Sequence, residues 1–336
     1  MTINNTDIVI SSRVRLARNI QNLPFGKAFN KLHADNVALE FYRSLGGDKS
    51  GFGLYKPTNQ DSLDGAVLKE KRLISADLLL NAPLASVVLS DDETVSIMIG
   101  EEDHLRLQCI LPGLNLQECF SIADEIDNVV AKNMPIAFDD KLGFLTACPT
   151  NLGTGLRASA MMFLPALTIY NSLQQCVQAM SLLNMAVRGV YGEGSDTSGY
   201  LYQLSNQRTL GASEHDILEA VEQSVQKVSF AEKQARDILL QEGGSAFKDK
   251  IYRAYGTLLH AYKIESSEFM QTMALVKLGV YYGYFKLSDT ERFEKLLIEA
   301  QPATLQSISS ITLSQQDRDV FRAKYVASVL KKILSV

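Results

Sequence analysis

The sequence predicts an α+β fold, with a mostly antiparallel sheet flanked by helices over residues 1–242 and a small all-helical domain over residues 243–336. Three observations carry this reading. First, apolar residues alternate in short runs, as in Val95, Ile97, Ile99 and then Leu105, Leu107, Cys109, Leu111, with only a tight link between them, which fits an antiparallel pair. Second, helical spacing intervenes between such runs, over 117–133 and 172–183. Third, the pattern beyond Gly243-Gly244-Ser245 is helical almost throughout, which makes that triplet the boundary.

Taken in order, Asp7-Ile8-Val9-Ile10 reads as a short strand, and Gly46 to Pro57, with Gly46, Gly47, Gly51 and Gly53, as a mobile loop. The strands around 95–99 and 105–111 join at Glu101 to Asp103. Period two then places His104, Arg106 and Gln108 on one face and the apolar row on the other. Phe120, Ile122, Ala123, Ile126 and Val130 recur at helical spacing. Phe144 to Ala147 reads as a strand that delivers Cys148 at its end. The spacing of Arg157, Met161, Leu164 and Leu167 predicts a helix from Thr154. The helix over 172–183 leads into a strand at 184–190, with Tyr200, Tyr202 and Leu204 marking its hairpin partner. Ser213-Glu214-His215-Asp216 resembles a capping box opening a helix to about Gln241. Ser288-Asp289-Thr290-Glu291 and Ser314-Gln315-Gln316-Asp317 open two more helices, and Phe321, Tyr325, Val329 and Ile333 form the apolar stripe of the last. There is no internal repeat and no low-complexity tract.

Bulk composition narrows the function classes. A chain of 336 residues with 46% hydrophobic and 21% charged residues can bury a full core. No run of 18 or more apolar residues suggests a membrane span, and no basic-then-apolar N-terminal segment suggests a secretory leader. Cys109, Cys119, Cys148 and Cys176 lack Cys-x-x-Cys spacing and His partners at zinc-site intervals. Free thiols in a reducing cytoplasm, with no protein-held metal, are therefore expected. A formal net charge of −5 argues against direct nucleic-acid binding.

The arginines matter by where they cluster. Ser11-Ser12-Arg13-Val14-Arg15, Glu101-Glu102-Asp103-His104-Leu105-Arg106, Cys148-Pro149-Thr150-Asn151-Leu152-Gly153-Thr154 with Arg157, and Arg188-Gly189-Val190-Tyr191-Gly192-Glu193 outline a polyphosphate site with acidic groups and a thiol beside it. The planar guanidinium meets phosphate oxygens in pairs, so Arg13, Arg15, Arg106, Arg157 and Arg188 read as a clamp. No Gly-rich phosphate loop is present to do that work with backbone amides. Glu102 and Glu193 suit the orientation of a cationic acceptor, and either can serve as its base. Cys148, set among cations, is expected to favour its thiolate. Each motif alone also has a bland reading as a solvated strand face, a polar turn, a buried thiol or a surface cation. Their joint occurrence makes the combined bland reading improbable.

Joined in this order, the four motifs resemble those of the ATP:guanido phosphotransferases, the phosphagen kinases, over roughly the first 240 residues. Within that family the chain resembles the bacterial protein-arginine kinases in two respects. The first arginine pair stands at residue 13, so the helical N-terminal domain of creatine and arginine kinases is expected to be absent. Arg318-Asp319-Val320-Phe321-Arg322-Ala323 also matches an Arg-Asp-x-x-Arg-Ala motif.

The resemblance implies ATP and Mg²⁺ as cofactors. It implies nucleotide contacts along Ser11, Ser12, Arg13, Val14 and Arg15, at Arg72 and Arg106, along Arg157, Ala158, Ser159, Ala160 and Met161, and along Arg188, Gly189, Val190, Tyr191, Gly192 and Glu193. It implies Glu102, Cys148 and Glu193 as the catalytic groups, and Arg318, Asp319 and Arg322 as a regulatory phosphoarginine site. It further implies a cytoplasmic homodimer formed through the helical domain and acting on arginine-bearing proteins, a stress-gene repressor among them. A zinc-binding activator protein and a Clp-type ATPase and protease would be its partners. Two positions depart from the family pattern: Arg72 stands where a nucleotide-contacting His is usual, and Gly100 replaces an Asn. A kinase for a free guanidino metabolite, or a phosphoarginine-binding adapter without catalysis, are the competing readings.

Overall fold

The computed structural model describes residues 7–57, 59, 61–190 and 198–336. In chain order the elements are β1 (Val9–Arg18), α1 (Lys31–Ser44), β2 (Phe52–Tyr55), α2 (Leu63–Glu70), α3 (Ala76–Leu80), β3 (Ser86–Ser90), β4 (Val95–Ile99), β5 (Leu105–Pro112) and α4 (Leu116–Asn133). There follow β6 (Phe138–Asp139), β7 (Gly143–Phe144), β8 (Leu156–Phe163), α5 (Pro165–Ile169), α6 (Leu173–Leu182), β9 (Met185–Gly189) and β10 (Leu201–Asn206). The chain ends with α7 (Glu214–His260), α8 (Ser266–Tyr281), β11 (Lys286–Leu287), α9 (Thr290–Glu299), α10 (Pro302–Ile308), α11 (Gln315–Ile333) and β12 (Leu334–Ser335).

An eight-stranded sheet in the order β2-β3-β4-β5-β1-β8-β10-β9 dominates, with antiparallel pairing of β2 to β3, β3 to β4, β4 to β5, β5 to β1 and β1 to β8. The α+β class is therefore the observed one. Period two decides the two faces of the central strands. Val14 and Leu16 of β1, Leu105, Leu107 and Cys109 of β5, and Leu156, Ala158, Ala160 and Met162 of β8 are buried on one face. Helix α4 packs over β1 and β5 with Leu116, Cys119, Ala123 and Val130, and α1 lies against β3 and β4. Arg18 also points to this side. It makes a bidentate pair with Asp127 of α4 at 2.8–3.0 Å and lies 3.5 Å over the Phe144 ring.

Three local expectations are corrected. The helix expected from Thr154 is strand β8. Arg157, Met161 and Leu164 mimic a helical stripe, but the small buried Ala158 and Ala160 give too little hydrophobic contrast to reveal the true alternation. The strand expected over 144–147 is paired only at Gly143–Phe144, and residues 145–148 run irregularly, held by side-chain bonds and by the Leu145 amide on Ala137 O at 3.0 Å. The loop expected over 46–57 contains the edge strand β2. The helix from Glu214 is capped as expected by reciprocal Ser213–Asp216 bonds of 3.1 and 3.3 Å and breaks at Gly244 (φ 49°, ψ −143°), close to its expected end, and a second helical stretch then runs to His260.

By contacts the chain divides into two compact units that cross its linear order. One comprises Met1–Met162, Val177–Val187 and Gln203–Lys227, and the other Phe163–Cys176, Arg188–Tyr202 and Val228–Val336. The second unit is helical. In α11 the buried seam runs through Arg322, Ala323, Val326, Val329, Leu330 and Ile333, with Phe321 and Tyr325 half-buried beside it. No helix among the described residues is long and apolar enough to cross a membrane.

Candidate active site

The other face of the central strands is polar and cationic. Arg13 and Arg15 alternate on it along β1. Across β8, Ser159 stands opposite Arg13 and Arg157 opposite Arg15. Across β5, Gln108 stands opposite Arg15 and Arg106 opposite Ala17. The register thus places two arginines directly across from each other, an arrangement that costs stability in an ordinary sheet.

Neutral side chains on β10 orient two of these groups. Arg13 Nη2 donates to Gln203 Oε1 at 2.6 Å, and Arg157 Nη2 to Ser205 Oγ at 3.2 Å, both acceptors lying on β10. Arg15 Nε is buried without a hydrogen-bond partner. Burial, together with the Arg106, Arg72 and Arg157 charges, pushes Arg13 down to about 9. Burial and the charges of Arg13, Arg106 and Arg157 likewise hold Arg15 well below the ordinary guanidinium value, with Glu101 opposing. Burial and mutual repulsion thus act together on the arginines of this face. A polyanion relieves that repulsion.

Arg72 faces the same cluster. It follows the last turn of α2 in the left-handed region at φ 64°, a position that glycine ordinarily fills. Its Nη1 meets Met161 Sδ, and its carbonyl accepts from Gln108 Nε2 at 2.9 Å. The strain of the left-handed backbone, about 1–2 kcal/mol, is spent holding a further guanidinium against this face. Gly100 has φ 80°, and a Cβ there would stand 2.7 Å from the Leu84 carbonyl oxygen. Glycine therefore suits both the backbone conformation and the close approach of Leu84 at this turn.

The acidic turn between β4 and β5 splits its two glutamates. Glu101 is nearly enclosed and bonds to Arg106 and to the Ser75 hydroxyl. Burial alone would raise its carboxyl, but Arg106 and Ser75 hold it below the usual carboxylate value. Glu102 is exposed. Cys148 is half-buried at the start of the short Pro149–Asn151 turn, with Sγ 3.1 Å from Thr150 Oγ1. The loop that carries it closes where Phe144 bridges Gly153. Gly153 has φ 107°, and a Cβ there would lie 2.6 Å from the Thr209 carbonyl oxygen, so only glycine fits.

The structure therefore brings Arg13, Arg15, Arg72, Arg106 and Arg157 into one cationic cluster, with Ser11, Ser159 and Met161 along the same strand faces. Ser12, Val14, Ala158 and Ala160 turn their side chains to the buried face because strand residues alternate. Arg188 is exposed near the end of β9, followed by Gly189 and by Val190, whose amide donates to Leu201 O at 3.0 Å. Tyr191, Gly192 and Glu193 lie outside the described residues. Ser75, Gln203 and Ser205 are site residues that the sequence motifs do not single out. For the last two, the alternation of Gln203 and Ser205 on a strand is the signal that could have found them.

In the helical unit, Arg322 is buried and donates to Ala300 O at 2.8 Å, to Ile264 O at 2.8 Å and to Asp319 Oδ1 at 2.5 Å. Arg318 is half-buried, and its Nε lacks a hydrogen-bond partner. The two arginines should respond differently to truncation. Arg322→Ala is expected to destabilise by about 2–3 kcal/mol, because two carbonyls lose their donor. Arg318→Ala should stay within about 0.5 kcal/mol of the parent. Urea melts of both variants read this difference directly. Among the described residues no group of three or more His, Cys, Asp or Glu is arranged to hold a metal ion.

Comparison with known proteins sets this geometry in context. Residues 34–235 match the family model described as ATP:guanido phosphotransferase, C-terminal catalytic domain, and residues 244–335 match that of the protein-arginine kinase McsB C-terminal domain. The chain is 42% identical over 331 residues to the protein-arginine kinase of Caldanaerobacter subterraneus, covering 97% of this chain and 98% of that one. It is 43% identical over 330 residues to that of Clostridium kluyveri, covering 97% and 95%. Among solved structures it is similar in fold to lombricine kinase (TM-score 0.59, 24% identity, 71% of this chain and 68% of that chain). It is also similar to the duplicated taurocyamine kinase from Schistosoma mansoni (TM-score 0.62, 20% identity, 84% and 48%). Arg13 and Arg15 precede the first matched range, and it is the β1 register that ties them to it.

Proposed function

The chain belongs to the ATP:guanido phosphotransferase family, and from that premise we propose that this kinase moves the γ-phosphoryl group of ATP onto the guanidinium of arginine side chains in proteins. The observation that carries the reading is the cationic row across β5, β1 and β8, with Arg15 facing Arg157 and Arg15 Nε left without a partner. A triphosphate laid along this row gives each guanidinium a pair of anionic oxygens. Arg13, Arg15, Arg106 and Arg157 hold the phosphates and Arg72 the nucleotide's margin, while Arg188 is assigned to the clamp on the family resemblance. Mg²⁺, bound by the phosphates, would neutralise part of their charge.

The acceptor is a guanidinium, whose nitrogen attacks only as its proton leaves. Glu102 is the member of the acidic pair turned to solvent, since Glu101 is committed to Arg106 and Ser75. We assign Glu102, with Glu193, to orient the acceptor and take its proton as the nitrogen–phosphorus bond forms and the bond to the ADP oxygen breaks. Cys148 steers a guanidinium nitrogen with its sulfur and forms no covalent bond. In the cell, such phosphoarginine marks would direct substrates, a stress-gene repressor among them, to a Clp-type protease. A zinc-binding protein would activate the enzyme. The helical domain over 243–336 would form a cytoplasmic homodimer and read phosphoarginine through Arg318, Asp319 and Arg322.

Incubation with ATP, Mg²⁺ and either an unfolded arginine-rich protein or free arginine tests the reaction. Acid-labile phosphate on the protein only is the expected result. Label on free arginine only would replace the reading with a metabolite kinase, and label on neither would end it.

A further inference from the structure

One carboxylate oxygen joins the two segments that would grip the acceptor. Asp103 follows Glu102 in the β4–β5 turn, and Ala147 precedes Cys148. Asp103 Oδ1 accepts the Ala147 amide at 2.7 Å and Asn19 Nδ2 at 2.7 Å. Asn19 comes directly after β1, the strand that carries Arg13 and Arg15. Its Nδ2 also donates to the Leu145 carbonyl at 3.0 Å, and its Oδ1 accepts the His104 amide at 2.8 Å.

His104 locks the assembly from behind. Its Nδ1 accepts the Ile20 amide at 3.0 Å, its Nε2 lies 3.0 Å from the Pro24 carbonyl oxygen, and its ring stacks on Phe29 with centroids 4.2 Å apart. Asn19, Asp103 and His104 are all buried. Residues 145–147, by contrast, have no place in a strand. Beyond one backbone bond, from the Leu145 amide to Ala137 O at 3.0 Å, this set of side-chain bonds fixes the approach to Cys148.

We infer that Asp103 is a positioning residue that sets the spacing between Glu102 and Cys148 around the acceptor guanidinium, and that Asn19 refers both to the arginine strand. The inference rests on the acceptor roles proposed above for Glu102 and Cys148. Two groups from separate segments that grip one planar cation must be held to about 0.5 Å, and a misplacement of about 1 Å costs on the order of a hundredfold in rate. Both donors to Oδ1 are neutral amides, so an uncharged acceptor at the same place does the same work.

That last point supplies the test. Asp103→Ala is expected to lower kcat on a protein acceptor by about 30–100-fold, with KM for ATP changed less than about twofold. Asp103→Asn keeps Oδ1 and should retain kcat within about fivefold. Iodoacetamide labelling of Cys148, read by mass spectrometry of its peptide, should change at least about threefold in rate in Asp103→Ala and not in Asp103→Asn. Should Asp103→Ala fail to fold, Asn19→Ala leaves the Asp103–Ala147 bond in place and is expected to lose about 5–10-fold in kcat with the same labelling change. Parental kcat in Asp103→Ala, or in Asn19→Ala where it is needed, would overturn the inference. So would a loss of kcat matched by equal loss of ATP binding with unchanged labelling. A parent protein that labels no arginine at all would instead remove the functional reading beneath it.

Discussion

Replacing Arg15 with methionine is expected to end phosphoryl transfer and at the same time raise the melting temperature of the nucleotide-free protein. Arg15 stands across the β1–β8 ladder from Arg157, and its Nε is buried without an acceptor. Leaving a polar group buried and unsatisfied costs about 1–3 kcal/mol, and a like-charge cross-strand pair adds to it. Methionine keeps the length of the side chain and removes both penalties. The gain corresponds to about 2–5 °C in Tm. The same change removes a guanidinium from the row that would hold the transferring phosphate, where one arginine is worth about 10³–10⁵ in rate. The parent should also gain stability on adding ATP, about 2.7 kcal/mol at a hundred times Kd, and the variant should lose most of that gain. Thermal melts with and without ATP, beside a rate assay, read all three effects. A variant less stable than its parent would show that the row is not strained and that Arg15 is part of the framework.

This opposition of stability and activity explains which parts of the site were legible. Charge is visible in a sequence, and arginines recurring in short motifs beside acidic residues and a thiol read as a ligand site whatever the surrounding fold. Backbone geometry is less visible. Arg157, Met161 and Leu164 fall at helical intervals, and only the burial of Ala158 and Ala160 on β8 exposes the strand. A side chain as small as alanine contributes little to either period. Arg72 in the left-handed region is likewise unreadable, because the position after a helix's last turn ordinarily signals itself by glycine.

The buried polar bracket was the least legible of all. Asn19 and Asp103 are separated by 84 residues, and neither belongs to a spacing that local rules recognise. In the acidic stretch Glu101 to Asp103 the sequence offers three carboxylates of one apparent kind. The fold then parts them. Glu101 is tied to Arg106 and Ser75, Glu102 turns to solvent, and Asp103 is sealed against the Cys148 segment. Side-chain direction in a turn is set by partners distant in sequence, so three adjacent acids cannot be sorted before those partners are in place.

The largest stability effect is expected at a pair the sequence disguises as an ordinary surface contact. Glu232 and Arg236 have the i,i+4 spacing of a solvent-exposed helical ion pair, worth a few tenths of a kcal/mol. In α7 both are buried, with Arg236 Nε donating to Glu232 Oε1 at 2.8 Å. Glu232 also accepts the Ala166 and Leu167 amides at 3.1 and 3.0 Å, which satisfies the first turn of α5. Arg236 lies 4.4 Å over the Tyr281 ring. Glu232→Ala therefore takes the carboxylate from a buried guanidinium and the acceptor from two amides, and is expected to cost about 3–5 kcal/mol. Replacing both partners, as in Glu232→Leu with Arg236→Met, removes the buried charges together. The double variant should lose less than Glu232→Ala alone, the residual cost coming from the two α5 amides. A double-mutant cycle followed by urea denaturation measures the coupling. If the single and double variants fell by the same amount, the amides of α5 rather than the ion pair would carry the effect, and Glu232 would be chiefly a cap.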